Sequence, residues 1–239
     1  ASDVYKRQVL GSSNPTDRNP IRKNAKLAGF FIDEREVTNE QYERFVKAGG
    51  YSDPTYWDKE GWAAIRDFVD RTGKPGPATW SDGHPPKGAE NLPVTGISLW
   101  EARAYARWAG KRLPTSDEWE KAASWNAASQ RKRLYPWGDR FDEKKVHIGD
   151  ENGAVPVTSQ IYEKDVSWYG VRGMGGNVAE WTDTAINGAY IVRGSSFRWI
   201  NLWRVRTTYA AYRLKPSERP THVGFRCAKD DIDISKYWR

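Results

Sequence analysis

The stretch that decides the fold of this chain is GMGGNVAEWT, residues 173–182. Its glycines permit a tight turn that exposes carbonyl groups, and Asn177 adds a side-chain oxygen to that turn. Glu180 follows three residues later and lies on the same side if a helical turn follows. Oxygen donors arranged in this way suit Ca²⁺. The spacing alone also fits a second arrangement, in which Asn177 caps the turn and Glu180 pairs with an arginine.

Further motifs flank this stretch in a fixed order. They are EVTNEQY at 36–42, PVTGISLWEA at 93–102, WAGKRLPT at 108–115, EWE at 118–120, YPWG at 135–138, VRGSS at 192–196 and GFRCA at 224–228. Each motif is weak evidence alone, but the ordered set resembles the formylglycine-generating-enzyme (sulfatase-modifying factor) family. The resemblance implies an irregular, coil-rich α+β fold of the C-type-lectin-like kind, with few short helices and short antiparallel strands.

Three helix starts carry the same capping-box signature, a hydroxyl residue followed three positions later by Glu or Gln. Thr38, Ser98 and Thr115 are the predicted N-caps. The first helix is predicted to run to Lys47, and the second is predicted to end at Gly110. Short strands are predicted at 29–33, 190–193, 205–209 and 223–227, because these segments are rich in β-branched and aromatic residues.

The segment 50–95 is unusually long for a connection without secondary structure of its own. We therefore predict that it is packed by its own aromatic side chains, which are Tyr51, Tyr56, Trp57, Trp62, Phe68 and Trp80. Residues 125–170 are predicted to be irregular as well. The domain organisation follows from these patterns: an extended lead-in at 1–25, one domain at 26–230 and a tail at 231–239. The first residues, DVYKRQ at 3–8, look like translated adapter sequence, and the tail carries an apolar Trp238.

Composition narrows the classes of function. The chain has 239 residues, a net charge of +7, a single cysteine and 13 tryptophans. Acidic residues lie close to basic residues along nearly all of the chain, and the densest basic run is the short QRKR at 130–133, so we predict no nucleic-acid binding. One cysteine excludes an internal disulfide. No apolar run reaches the length of a membrane span. The partner that this composition favours is another protein.

The resemblance implies one structural calcium site at the turn. Its ligands would be the side chains of Asn177 and Glu180 with the carbonyl groups of Gly175 and Val178. The family's second calcium site is predicted to be absent or altered, because residues 145–150 read KVHIGD and the turn after them is shortened. The resemblance further implies an extracytoplasmic protein, periplasmic or secreted, although no signal peptide is visible.

Catalytic members of the family hold copper(I) with two cysteines in the segment before the GFR motif. The alignment places Leu202 and Thr207 at those positions, and neither side chain supplies the thiolate that copper(I) prefers. No copper is therefore expected. Another branch of the fold uses iron held by three histidines. His84, His147 and His222 are far apart in sequence and show no ligand spacing.

Aromatic residues and arginines alternate in the segment that replaces the cysteines. Trp, Tyr and Arg are enriched at binding hot spots. Arg198, Trp199, Trp203 and Arg204 are the predicted partner-binding residues. The sequence thus favours a non-catalytic binding or accessory subunit of an extracytoplasmic complex. Two alternatives stay open: a metal-dependent oxidoreductase with non-standard ligands, and a ligand-binding variable protein made by sequence diversification.

Overall fold

The capping boxes predicted from the sequence form in the computed structural model, which describes residues 8–231. The helices are α1 (Asn39–Lys47), α2 (Lys59–Ala63), α3 (Leu99–Trp108) and α4 (Ser116–Ser124). At α1, α3 and α4 the N-cap hydroxyl accepts a hydrogen bond from the third helical N–H. The Gln or Glu at that third position accepts one from the N-cap N–H in return. These local bonds satisfy backbone donors that a helix start leaves free, so the three starts could be read from sequence.

Within residues 8–231 the strands are short and form four small sheets. They are β1 (Gln8–Leu10), β2 (Arg22–Ala25), β3 (Phe30–Ile32), β4 (Trp125–Asn126), β5 (Arg131–Lys132), β6 (Ala179–Ile186), β7 (Ala189–Arg193), β8 (Arg213–Leu214), β9 (Val223–Gly224) and β10 (Ala228–Asp230). The largest sheet has the order β8-β7-β6-β9, in which β6 and β9 are parallel and the other pairs antiparallel. This is the α+β, coil-rich architecture that the sequence predicts. None of the helices in the described part of the chain is long and apolar enough to cross a membrane.

The GMGGNVAEWT stretch enters the centre of the largest sheet. Its turn ends at Val178, and β6 begins at Ala179, so Glu180 lies on a strand and not on a helical turn. Trp181 is fully buried on this strand, and its indole N–H donates to the Ile97 carbonyl oxygen at 3.1 Å. The stretch therefore joins the sheet to the region before α3 through one large side chain.

Aromatic side chains supply much of the core. Trp57, Phe68 and Trp80, all from the 50–95 segment, are buried. Trp57 stacks on Phe68 with ring centroids 5.7 Å apart. The indole N–H of Trp57 donates to the Gly50 carbonyl oxygen, and that of Trp80 donates to the Asn39 side chain, each at 2.8 Å. The prediction that this long segment is packed by its own aromatic residues is confirmed.

The predicted boundary at residue 25 is not a structural boundary. From β1 onward the supposed lead-in packs on the domain. The Asp17 carboxylate is fully buried and accepts hydrogen bonds from Arg206 and, at 2.5 Å, from the Thr208 hydroxyl. The Gly11 N–H donates to Glu120 at 2.7 Å. The polar composition of this segment predicted a solvated extension. Its polar groups are in fact bonded to residues far along the chain, which the local sequence does not reveal. Residues 1–7 and 232–239, which include Trp238, lie outside the described part.

The strand predicted at 205–209 does not form. Leu202–Val205 is a 3₁₀ turn, and irregular chain follows it. The Thr207 N–H donates to the Leu134 carbonyl oxygen and the Ala210 N–H donates to that of Asp17. These donors are satisfied by loops and by the N-terminal segment, so β-branched composition was not enough to form a strand here.

Candidate functional site

Asn177 occupies the turn before β6 in a left-handed conformation, with φ of 67°. Its side-chain oxygen accepts a hydrogen bond from the Val155 N–H at 2.9 Å. Its amide group donates to the Val155 carbonyl oxygen at 3.1 Å and to the Tyr162 hydroxyl at 2.6 Å. The Asn177 side chain thus joins the turn to the chain before it at residues 155 and 162.

Glu180 is held by a buried arginine. Arg226 donates through Nε and Nη2 to the two carboxylate oxygens of Glu180 at 2.7 and 2.8 Å, and the indole N–H of Trp119 donates to one of them at 3.0 Å. Arg226 also donates to the carbonyl oxygens of Asp33, Glu34 and Arg172. Because this bidentate pair is fully buried, it is a strong, geometrically specific interaction.

One of the two carbonyl groups predicted to bind calcium has a hydrogen-bond partner in the protein. The Gly175 carbonyl oxygen accepts a hydrogen bond from the Ser195 N–H at 3.3 Å. Val178 is buried, and Gly224 lies against its side chain: a Cβ added to Gly224 would be 3.2 Å from Val178 Cγ2. Three of the four predicted ligand groups, the Asn177 and Glu180 side chains and the Gly175 carbonyl, therefore accept hydrogen bonds from the protein, and calcium binding at this turn stays a prediction. The guanidinium of Arg226 pairs with the Glu180 carboxylate, which is the second arrangement that the spacing left open.

The calcium prediction has a direct test. With Glu180 paired to Arg226, we expect the midpoint of thermal unfolding to be the same in calcium and in an excess of the chelator EGTA. Differential scanning calorimetry of the metal-stripped chain with and without added calcium measures this. A rise in midpoint with calcium that is lost in Glu180→Gln would restore calcium as a ligand of this turn.

Two further buried carboxyl groups lie beside this ion pair, and the sequence did not single them out. Glu36 accepts a hydrogen bond from the Tyr162 hydroxyl at 3.0 Å, and Asp165 accepts one from the Gly175 N–H at 2.8 Å. One oxygen of each carboxyl group is buried without a hydrogen-bond partner among the described residues. Burial raises the pKa of Glu36 to about 8 and that of Asp165 to about 7. The sequence did not predict this cluster because Arg226 lies far along the chain from Glu36 and Asp165.

The positions aligned with the family's copper ligands do not converge as metal ligands. Leu202 is 46% exposed at the start of the 3₁₀ turn, while Thr207 is buried and its hydroxyl donates to the Arg133 carbonyl oxygen at 2.9 Å. Cys227 lies in the hydrophobic core instead, where burial raises the pKa of its thiol. Within residues 8–231 no group of three or more His, Cys, Asp or Glu side chains could hold a metal ion.

The three histidines have separate surroundings. His84 contacts Glu43 at 2.7 Å, and His147 contacts the Gly153 carbonyl oxygen at 2.8 Å. His222 packs against Trp199 with ring centroids 4.8 Å apart, and its Nε2 lies 3.1 Å from the Tyr212 hydroxyl. Burial, with the charges of Arg198 and Arg204, lowers the pKa of His222 to about 4. Its imidazole is therefore neutral at physiological pH.

The predicted partner-binding residues divide into two groups. Arg198 is exposed and Trp203 is 43% exposed. Arg204 instead places its guanidinium carbon 4.0 Å from the ring centroid of Trp199, with Tyr209 and Tyr212 at 5.3 and 5.4 Å. Its Nε and Nη1 atoms are buried and have no hydrogen-bond partner among the described residues. Trp199 and Arg204 therefore stabilise the loop from inside, because cation–π contacts hold them there.

The exposed side of this loop is apolar. Ile200 is 78% exposed, next to Leu202 and Trp203. An open depression of about 460 Å³ lies beside it, lined by Phe197, Arg198, Ile200 and the segment 149–151. We refer to residues 197–204 as the exposed loop. The arrangement offers an apolar surface with arginine and acidic groups at its margin.

Comparison with known proteins agrees with the motifs and the fold. Residues 7–231 match the Sulfatase-modifying factor enzyme 1-like domain. The chain belongs to this family. Because the matched region begins at residue 7, it includes the segment that was predicted to be a separate lead-in.

The relatives of this chain include proteins named as enzymes and a protein named as inactive. A hercynine oxygenase of Mycolicibacterium smegmatis is 34% identical over 67% of this chain and 38% of its own length. A formylglycine-generating enzyme of Thermomonospora curvata is 30% identical over 89% of this chain and 86% of its own length. An inactive C-alpha-formylglycine-generating enzyme 2 of Bos taurus is 29% identical over 92% and 84%. This chain therefore spans less than two fifths of the hercynine oxygenase.

Solved structures share the fold. PvdO from Pseudomonas aeruginosa superimposes with a TM-score of 0.66 at 19% identity, over 95% of this chain and 92% of PvdO. Treponema denticola variable protein 1 superimposes with a TM-score of 0.65 at 17% identity, over 95% and 93%. At this identity the likeness establishes the fold and leaves the function open.

Proposed function

We propose that this chain is a non-catalytic member of its family that binds a protein partner through the exposed loop. The observation that carries the proposal is the run of exposed apolar side chains, Ile200, Leu202 and Trp203, at the position of the family's catalytic cysteines. Contiguous exposed apolar surface marks sites of interaction. Tryptophan and arginine are the residues that contribute most at such sites.

The inner side of the loop supports the same proposal. Arg204, enclosed by Trp199, Tyr209 and Tyr212, holds the loop to the domain. Trp199 in turn meets Tyr212 edge to face at 4.9 Å. A loop held in this way loses little conformational entropy when a partner binds, and this preorganisation favours affinity. The four predicted partner-binding residues thus serve in two roles, two as contacts and two as supports.

Matched tryptophan variants test the proposal. Trp203 and Trp168 are 43% and 44% exposed, so Trp203→Ser and Trp168→Ser remove similar amounts of exposed surface from different places. The tagged full chain and both variants would be cross-linked in the native source and the cross-linked residues mapped by mass spectrometry. We expect a partner cross-linked at 197–204 in the wild type and in Trp168→Ser. Trp203→Ser should weaken its binding at least about tenfold.

Either of two results would count against the proposal. One is equal capture of the same partner by all three chains, because the exposed loop would then not be the interface. The other is an absence of cross-links at 197–204 together with a monomer in the native source. The extracytoplasmic location stays a prediction, and cell fractionation with an antibody to the chain tests it independently.

A metal-dependent oxidoreductase is the second candidate function. The observation that favours it is the 34% identity with hercynine oxygenase over two thirds of this chain. The separation of His84, His147 and His222 argues against a three-histidine site formed by the described residues. Metal analysis of protein purified without chelators decides between the two functions. Stoichiometric iron or copper would overturn the non-catalytic proposal.

The diversified variable protein is the remaining alternative. The superposition with Treponema denticola variable protein 1 supports only the fold. A template repeat near the gene that matches residues 193–226, next to a reverse transcriptase gene, would favour this alternative over a fixed protein partner.

A further inference from the structure

We infer a second binding site, separate in its residues from the exposed loop, for a small anion that carries a flat ring. It is an open cavity of about 440 Å³ whose lining includes Trp137 and Trp168, and we call it the two-tryptophan cavity. The other lining residues are Arg133, Lys145, Glu163, Lys164, Val166 and Ser167. Its volume lies in the range of cavities that bind small molecules.

One wall of the cavity is fixed. The Trp137 ring stacks on Tyr135 with centroids 5.5 Å apart and planes 8° from parallel, and its indole N–H donates to the Arg140 carbonyl oxygen at 2.9 Å. Gly175 approaches the same ring so closely that an added Cβ would lie 2.9 Å from Trp137 Cζ3. The glycine of the GMGGN turn therefore allows the turn to close on the indole, which is held in one orientation.

Trp168 lines the cavity from a tight turn. The Gly170 N–H donates to the Ser167 carbonyl oxygen at 3.1 Å, and Gly170 has φ of 80°, which suits glycine at this position. Arg133 lies over the Trp168 ring with its guanidinium carbon 5.6 Å from the centroid. Trp168 is 44% exposed, so much of its ring surface is open to a ligand.

The charges of the cavity favour an anion. Three cationic side chains line it, Arg133, Lys145 and Lys164, and neither lysine forms an ion pair with another described residue. Glu163 is the one acidic lining residue in the described part of the chain, and Arg172 and Arg35 already pair with it at 2.7 and 3.4 Å. A cavity lined by unpaired cations raises the local concentration of anions. Two indole rings beside those cations add flat apolar surface for stacking.

The chemistry thus selects a phosphate or carboxylate attached to a planar ring. Lysines bind either group as point charges, and the indoles contact the ring. Adenosine monophosphate and benzoate are the probes for the two anionic groups. Inorganic phosphate and acetate test the anion without a ring, and adenosine tests the ring without the anion. Isothermal titration calorimetry on the full chain measures each.

Variants assign the binding to this cavity. Trp168→Leu and Lys164→Met remove one ring and one charge of the cavity lining, and both positions are exposed. Phe31→Leu, at another exposed aromatic position, and Lys144→Met are the controls, because neither residue lines the cavity or belongs to the exposed loop. We expect at least one ring-bearing anion to bind, and each cavity variant to weaken it by about tenfold. The controls should bind as the wild type does.

Three results would overturn the inference. They are no binding of either ring-bearing anion at about 10 mM, equal binding of the ringless anions, and unchanged affinity in both cavity variants. Binding of one probe alone would assign the site to phosphate or to carboxylate. Because none of these measurements involves the exposed loop or a protein partner, their outcome is independent of the proposed function.

Discussion

Replacing Arg226 with methionine is expected to lower the free energy of unfolding by about 3–5 kcal/mol. Arg226 is fully buried, forms a bidentate pair with Glu180 and donates to three backbone carbonyl oxygens. Its loss would leave the Glu180 carboxylate buried, with the Trp119 N–H as its only remaining donor among residues 8–231. An uncompensated buried charge costs far more than the pair contributes. Urea unfolding followed by tryptophan fluorescence measures the loss.

A double-mutant cycle separates the ion pair from simple loss of packing. Adding Glu180→Gln to Arg226→Met removes the unpaired charge, so the double variant should be more stable than Arg226→Met alone. The control is Arg44→Met, which breaks an exposed helical pair with Glu40 and should change stability by less than about 0.5 kcal/mol. A double variant no more stable than Arg226→Met would show that the ion pair is not the cause.

The free energy of unfolding is expected to fall as the pH rises from 6.5 to 8. Burial raises the pKa of Glu36 to about 8 and that of Asp165 to about 7. The folded state therefore keeps protons that the unfolded chain has already released, and stability is lost as the pH rises through the folded pKa values. The two groups together give an expected slope of about 1–2 kcal/mol per pH unit, steepest near pH 6.5. Urea unfolding at a series of pH values measures it.

The lower pH limit avoids an opposing contribution from a histidine. The pKa of His222 is lowered to about 4, so below about pH 6.5 the unfolded chain binds a proton there that the folded chain does not. Glu36→Gln keeps the size of the side chain and removes its titration, and we expect it to flatten the slope between pH 7 and 8. The same slope in Glu36→Gln and the wild type would assign the dependence to other groups.

Both predictions concern one polar centre beneath the turn that precedes β6. Glu180 and Arg226 form its ion pair, and Tyr162 links Glu36 to Asn177. The same turn carries Gly175, which closes on Trp137 in the two-tryptophan cavity. Variants of this centre would therefore change stability first and could alter the cavity through Gly175, so binding studies should use the surface variants.

Local features could be predicted from the sequence because the atoms that form them are neighbours along the chain. Thr38 with Gln41, Ser98 with Glu101, and Thr115 with Glu118 form complete capping boxes as predicted. The ordered motifs likewise indicated the fold. The three helix starts and the packing of the 50–95 segment required no knowledge of distant contacts beyond the need to bury large aromatic side chains.

The features that the sequence missed depend on partners far along the chain. Asp17 joins residues 8–25 to the domain through Arg206 and Thr208, which are about 190 positions away. The segment 205–209, which contains both partners, is irregular although a strand was predicted there. Arg204 was predicted to contact a partner, but its guanidinium lies among the rings of Trp199, Tyr209 and Tyr212.

The opening stretch, GMGGNVAEWT, shows the same division. The sequence by itself determined that residues 173–182 contain a tight turn, because glycine and asparagine adopt the backbone conformations that such a turn requires. Only the tertiary structure decided what Glu180 binds. Its spacing allowed a calcium ion or an arginine, and the parallel pairing of β6 with β9 brings Arg226 to it from 46 positions away. Once a guanidinium satisfies both carboxylate oxygens, the charge that would attract calcium is already compensated.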